Sequence, residues 1–223
     1  MTSKDLAIDV SGTSVSALLE LPREARAGYV LAHGAGAGMA HPFMDAVASG
    51  LAERSIATLR YQFPYMEAKS RRPDPPKVAH AAVRAAVAET TKRMPGLPLF
   101  AGGKSFGGRM TSQAQSVEPL ANVRGLVFIG FPLHAAGKPS DERAAHLFQV
   151  KVPMLFLQGS RDALADLTLL EPIMKRLGGR ATLEVFEDAE HSFHVPARTG
   201  RKDAELMADL LDRMTRWIAR VTG

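Results

Sequence analysis

Cysteine is absent from all 223 residues. That excludes disulfides, a thiolate nucleophile and a thiolate metal site. Aromatic residues are scarce, at 6% of the chain. A single-strand nucleic-acid binder needs stacking platforms, and so few rings do not supply them. Lysine and arginine outnumber aspartate and glutamate by 28 to 23, a formal net charge of +5. Apart from Lys69-Ser70-Arg71-Arg72 the basic residues are scattered. The excess reads as surface solubility with a mild preference for anionic partners, and no nucleic-acid partner is expected. No apolar run approaches the ~18 residues that span a bilayer. Met1-Thr2-Ser3-Lys4-Asp5 lacks the apolar stretch of a secretory signal. The expectation is a cytoplasmic protein without a membrane partner.

What is present is a chain that can bury a core. Hydrophobic residues make up 46%. A chain of this length suits one domain, here 1–223, burying ~70% of its unfolded surface. Leu6–Val10 and Val15–Leu21 flank Ser11-Gly12-Thr13 and read as a starting hairpin. Further strands are expected at Tyr29–His33, Ile56–Arg60, Leu97–Gly102, Val123–Gly130, Pro153–Gln158 and Thr182–Phe186. Helices are expected at Pro42–Glu53, Val78–Arg93, Asp141–Phe148, Leu167–Leu177 and Asp203–Val221, with one beginning just after Ser105. In the last of the named helices Leu206, Leu210, Met214 and Trp217 share one face at helical spacing. Tyr61–Pro76 and Phe131–Pro139 read as loops. Strand and helix alternate, which predicts an α/β fold: a mostly parallel sheet with helices on both faces and ligands at the carboxyl ends of the strands.

The richest stretch is Leu97-Pro98-Leu99-Phe100-Ala101-Gly102-Gly103-Lys104-Ser105-Phe106-Gly107-Gly108. An apolar strand ends in G-x-S-x-G and enters a helix, the context of a nucleophile elbow. Strand and helix cross closely there, so side chains two positions either side of the serine would collide. Gly-Lys-Ser also closes a phosphate-binding loop, but the first glycine of that motif falls on Pro98, and the loop residues read as strand.

Two more polar residues fall at strand ends. Asp162 follows Pro153–Gln158, and His191 follows Thr182–Phe186. The order serine, acid, histidine is that of the α/β-hydrolase triad. A neutral serine hydroxyl is a weak nucleophile and needs a base. His191 would supply it, and Asp162 would fix the ring's tautomer and stabilise the imidazolium. An oxyanion needs N–H donors. Phe106 follows the nucleophile, and the turn His33-Gly34-Ala35-Gly36 offers a second donor, assigned to Ala35 with Gly34 and Gly36 as neighbours. Asp166, His194, Glu187, Asp188 and Glu190 are rivals that fit the order less well. His33 reads as a strand-end structural histidine, and His41, His80, His134 and His146 as solvent-facing or loop residues. No His–carboxylate spacing suggests a metal, and no cofactor is expected.

The chain resembles a small α/β-hydrolase of the dienelactone-hydrolase-like kind. More narrowly it resembles a group that includes a testis-expressed protein and a subunit of the NSL chromatin complex. The resemblance runs from Gly28 to about Trp217. It rests on His33-Gly34-Ala35-Gly36-Ala37-Gly38, Arg60-Tyr61-Gln62-Phe63-Pro64-Tyr65-Met66-Glu67, Gly102-Gly103-Lys104-Ser105-Phe106-Gly107-Gly108, Gln158-Gly159-Ser160-Arg161-Asp162 and Asp188-Ala189-Glu190-His191-Ser192-Phe193. It implies an α/β-hydrolase fold without a large lid domain. Dienelactone hydrolases use a cysteine nucleophile, which this chain lacks, so the resemblance favours esterase-like chemistry on a small-molecule ester or acyl substrate.

The substrate pocket is expected between Tyr61–Pro76 and Phe131–Phe148. Gly34, Gly36, Phe63, Tyr65, Phe131, Met66 and Leu133 would wall it, with Lys104 and Arg71 favouring an anionic group. Two other functions compete. Gly34-x-Gly36-x-Gly38 after a strand, with Arg60 ending the next, suggests an NADP site, although Met39 stands where the third glycine belongs. A non-catalytic scaffold of the same fold is the other.

Overall fold

A computed structural model describes residues 3–223; the first two residues of the expected domain lie outside them. The chain forms strands β1 (Lys4–Val10), β2 (Thr13–Glu20), β3 (Ala27–Ala32), β4 (Ile56–Tyr61), β5 (Leu99–Lys104), β6 (Val123–Ile129), β7 (Met154–Gly159) and β8 (Ala181–Phe186). They make one sheet in the order β1-β2-β4-β3-β5-β6-β7-β8. β2 runs against its two neighbours, and every other pairing is parallel.

The helices are α1 (Pro42–Ala52), α2 (Pro64–Glu67), α3 (Pro76–Arg93), α4 (Phe106–Val117), α5 (Leu167–Leu177) and α6 (Asp203–Thr222). α2 was not expected: Pro64 opens it, its fixed φ suiting a first helical turn. The segment read as helix at Asp141–Phe148 is a 3₁₀ helix, Glu142–Gln149.

Strands buried on both faces read as unbroken apolar runs. In β3 all six residues are buried. Val30 and Ala32 join the core under α3, α4 and α5, while Tyr29 and Leu31 join the core under α1 and α6. Leu206, Leu210, Met214 and Trp217 of α6 are all buried on the latter face, as their spacing predicts. Each such side chain removed from water contributes about 1.5–3 kcal/mol. The order β4-β3-β5 reverses chain direction across the sheet at β3. The segments after β3 and β5 therefore leave toward opposite faces, α1 to one and α4 to the other. A crevice opens between them at the carboxyl ends of the strands.

Candidate active site

Ser105 stands in that crevice, between the end of β5 and the start of α4. Its backbone takes φ 50° and ψ −115°. A non-glycine residue there is strained, at about 1–3 kcal/mol, and persists only where its surroundings hold it. They do: Ser105 N–H extends the sheet ladder to the Ile129 carbonyl at 3.1 Å. Gly103, at φ 145°, lies so close to β3 that a Cβ would fall on the Ala32 carbonyl oxygen. At Gly107 a Cβ would sit 2.6 Å from the Ala32 and His33 oxygens. Both glycines of G-x-S-x-G are thus required by the crossing of β3, β5 and α4.

Asp162 sits in the turn after β7 and His191 in the loop after β8. The two loops are stitched together. Arg161 N–H donates to the Ala189 carbonyl at 2.9 Å, and Asp188 N–H to Ser160 Oγ at 2.8 Å. His191 Nδ1 lies 2.7 Å from Asp162 Oδ2, and His191 Nε2 lies 2.8 Å from Ser105 Oγ. The acid is buried, and its oxygens have further donors. Leu164 N–H reaches Oδ1 at 2.8 Å, and Gln158 Nε2 reaches Oδ2 at 2.5 Å. The Gln158 Oε1 accepts from Phe131 N–H at 2.9 Å. An alcohol, an imidazole and a buried carboxylate therefore form one hydrogen-bonded row.

A family model described as an alpha/beta hydrolase domain matches residues 25–219. The chain belongs to the alpha/beta hydrolase family. Its fold is also that of several solved hydrolases. One, from Xanthomonas campestris, is described as an a/b serine hydrolase without lid. It aligns with TM-score 0.74 and 21% identity over 96% of this chain and 94% of its own. A dienelactone hydrolase from Anabaena variabilis aligns with TM-score 0.77 and 20% identity over 98% and 97%. The esterase domain of a Rhodothermus marinus protein aligns with TM-score 0.74 and 15% identity over 99% of each chain.

In this hydrolase a cavity of about 430 Å³ opens beside Ser105. Apolar side chains dominate its wall: Ala35, Ala37, Phe43, Met44 and Leu164, joined by His41, Lys104 and Ser192. Gly34, also expected in the pocket, lines it too. A larger depression of about 500 Å³ lies at the amino ends of β5 and β6, on the opposite edge of the sheet from Ser105.

The wall differs from the one the sequence suggested. Phe63, Tyr65 and Phe131 do not line the cavity. Phe63 is fully buried among His33, Tyr61 and Phe106, with ring centroids 5.0–5.2 Å away. Phe131 is buried against Phe128 and Phe156. Tyr65 turns inward, and its hydroxyl accepts the Gly36 N–H at 3.0 Å. That bond ties down the turn and occupies the Gly36 N–H, and Gly36, also expected in the pocket, does not line the cavity. Leu133 is fully buried, and Arg71 is exposed away from the cavity. Large apolar side chains near the site stabilise the core more than they would a wet groove, so they faced inward. The wall comes instead from the start of α1 and from the Asp162 turn. Nothing in the sequence singles out Leu164, and His41, a loop residue as expected, lines the cavity.

The other titratable residues have structural duties. His33 is fully buried; its Nδ1 lies 2.8 Å from the Gly34 carbonyl and its Nε2 accepts from Phe63 N–H at 3.1 Å. Burial pushes its pKa down to about 4. Asp166 caps α5, accepting from Thr168 N–H at 2.8 Å. His194 pairs with Asp203 at 2.8 Å on the surface. His134 is a loop residue, as expected, but a buried one, and accepts from Asp166 N–H at 2.9 Å. His146 is half-buried, 2.7 Å from Ser112 Oγ. Arg60 is buried too, paired with Glu20 at 2.5 Å and Asp45 at 3.2 Å. An arginine so enclosed cannot reach a 2′-phosphate, which removes the arginine from the NADP reading. Among the described residues, no three His, Asp or Glu side chains gather as metal ligands. Nor is any helix among them long and apolar enough to cross a membrane.

Proposed function

We infer that this alpha/beta hydrolase is a serine esterase that cleaves a small ester or related acyl bond through an acyl-enzyme. The observation that carries the reading is the row Ser105 Oγ, His191 Nε2, His191 Nδ1 and Asp162 Oδ2, with links of 2.8 and 2.7 Å. Ser105 Oγ attacks the carbonyl carbon while His191 Nε2 takes its proton. Asp162 stabilises the imidazolium. The tetrahedral intermediate collapses, and His191 passes the proton to the departing alkoxide. Water, deprotonated by the same nitrogen, then releases the acid and restores Ser105.

Two N–H groups are assigned to the oxyanion. Phe106 opens α4, and its N–H has no acceptor within the helix. In the turn after β3, Gly36 N–H is held by Tyr65 and Ala37 N–H by the Gly34 carbonyl at 3.3 Å. Gly34 and Ala35 retain N–H groups without an acceptor among the described residues. Ala35, exposed to the cavity, is the chosen donor.

The apolar wall supports a short apolar acyl or alkoxy group. The Gly102–Gly108 and Asp188–Phe193 motifs support a place near the testis-expressed and NSL-complex group. A fluorophosphonate probe tests the reading, because it forms a bond only with an activated nucleophile. Wild-type protein takes up one equivalent, and Ser105→Ala takes up none. A folded wild-type chain that stays unlabelled, and turns over no p-nitrophenyl ester of any acyl length, would identify a non-catalytic scaffold instead.

A further inference from the structure

Lys104 is the last residue of β5 and precedes Ser105. Its backbone is fixed by pairing with Ile129 of β6. Its side chain runs past Gly34 toward Gly130 and ends where three elements meet. The ammonium donates to the backbone carbonyl of His191. It stands 5.3 Å from the centroid of Phe193, two residues further along the same loop, and 5.7 Å from that of Phe43 on α1. A Cβ on Gly130 would lie 2.9 Å from Lys104 Nζ and 3.3 Å from His191 Cε1. The space left by that missing side chain is where the ammonium and the edge of the imidazole come together.

We propose that Lys104 is a positioning residue: its ammonium clamps the loop after β8 at the His191 carbonyl and the Phe193 ring, holding the imidazole against Ser105 and Asp162. The proposal rests on the serine-esterase reading. The loop has other anchors on either side of His191: Arg161 N–H to Ala189 and Asp188 N–H to Ser160 before it, and Val195 N–H and His194 Nδ1 to the Asp203 carboxylate after it. The Lys104 contact is made at His191 itself, from the strand that carries the nucleophile. Alcohol and imidazole are thereby referenced to one backbone segment. A misplacement of about 1 Å can cost on the order of 10²-fold in rate, so such a reference has kinetic consequences.

The clamp is strongest when charged. A charge-assisted hydrogen bond is about twice as strong as a neutral one, and attraction to the two rings requires the cation. Burial pushes the Lys104 amine down to about 8, against the opposing pull of the Asp162 carboxylate. The titratable groups around it are Asp162 from the β7 turn, His191 from the β8 loop and His41 from the approach to α1. Loss of its proton produces opposite signs under two accounts. A nearby positive charge disfavours the imidazolium, so purely electrostatic action makes the reaction faster above pH 8. Clamping makes it slower.

The test is the second-order rate of fluorophosphonate labelling from pH 5 to 10 for wild type, Lys104→Met and Lys104→Arg, with folding followed by circular dichroism. Wild type is expected to rise on the acid side and fall across about pH 8. Lys104→Met is expected to be ten- to thirtyfold slower at pH 7, with no alkaline fall. Lys104→Arg, charged throughout, should move the fall out of range. If Lys104→Met misfolds, Lys104→Arg and the wild-type profile together carry the test. A wild-type rate that stays level or climbs above pH 8 overturns the proposal, as does Lys104→Met labelled within twofold of wild type. Either result leaves Ser105 labelled and the esterase reading intact. A folded wild-type chain unlabelled at every pH overturns both.

Discussion

Replacing Gln158 with leucine tests whether the support beneath Asp162 matters as much as its geometry implies. Gln158 is fully buried at the end of β7 and joins two loops: its amide N–H₂ donates to Asp162 Oδ2 and its oxygen accepts from Phe131 N–H. Leucine fills similar space and does neither. The lost bond to an ionised carboxylate is worth about 1.5–3 kcal/mol, and a stranded buried N–H costs about 1–3 kcal/mol more. The added apolar burial returns part of this, leaving a destabilisation of about 3 kcal/mol. At about 2–4 °C per kcal/mol for a chain of this size, Tm should fall by about 6–12 °C. The labelling rate should fall further than stability explains, because Oδ2 is also the oxygen that faces His191 Nδ1. A tenfold to hundredfold loss at 25 °C corresponds to about 1.4–2.8 kcal/mol. Gln158→Glu separates the two duties. It keeps an acceptor for Phe131 but sets a second carboxyl against Asp162, and two carboxylates so close cannot both ionise. The shared proton raises the folded-state pKa of the pair above its unfolded value. Stability in this variant should therefore be best in acid and lost as pH rises through that raised value. Thermal melts and labelling rates at pH 5 and 8 provide the readout. If Gln158→Leu melts with wild type and labels as fast, the carboxylate does not depend on this amide and the reasoning fails.

The elbow and the buried imidazoles yield two further tests. Gly103→Ala drives a methyl into the Ala32 backbone at φ 145°, and no side-chain rotation relieves it. A loss of at least about 4 kcal/mol is expected, seen as a Tm lower by at least about 8 °C; a melt within 2 °C of wild type would contradict the close crossing. His33 is held down to about 4 from its ordinary 6.5. Between those values the unfolded chain binds the proton and the folded one does not, so this stability is full above pH 6.5 and falls as pH drops toward 4. The fall amounts to about 3 kcal/mol. His146, also lowered to about 4, acts in the same direction. Urea midpoints at pH 7 and 5 should lie closer together in His33→Gln than in wild type, and equal separation would refute the assignment.

How far the sequence reaches can be judged residue by residue. The α6 stripe and the order of strands and helices were readable because burial of one face imposes a period. The convergence of Ser105, Asp162 and His191 at one edge of the sheet is readable because chain order and strand ends determine which edge of a parallel sheet a loop joins. Phe63, Tyr65 and Phe131 face inward and not into the cavity. Their segments do flank the crevice, but proximity to a site says nothing about which way a ring turns. Tyr65 faces inward through one bond to Gly36 N–H, made across 29 positions of chain. Gln158 did carry a signal. It closes the apolar run Met154-Leu155-Phe156-Leu157, and a polar residue in a fully buried strand must find partners or destabilise the fold. Lys104 carried the same signal: a long cation between glycines and a strained serine, at the buried end of a central strand, needs an acceptor close by. Here that acceptor is the carbonyl of His191, and it comes from the last loop of the sheet. The sequence therefore shows which buried polar groups need partners, while the partners follow from side-chain directions that only the folded chain fixes.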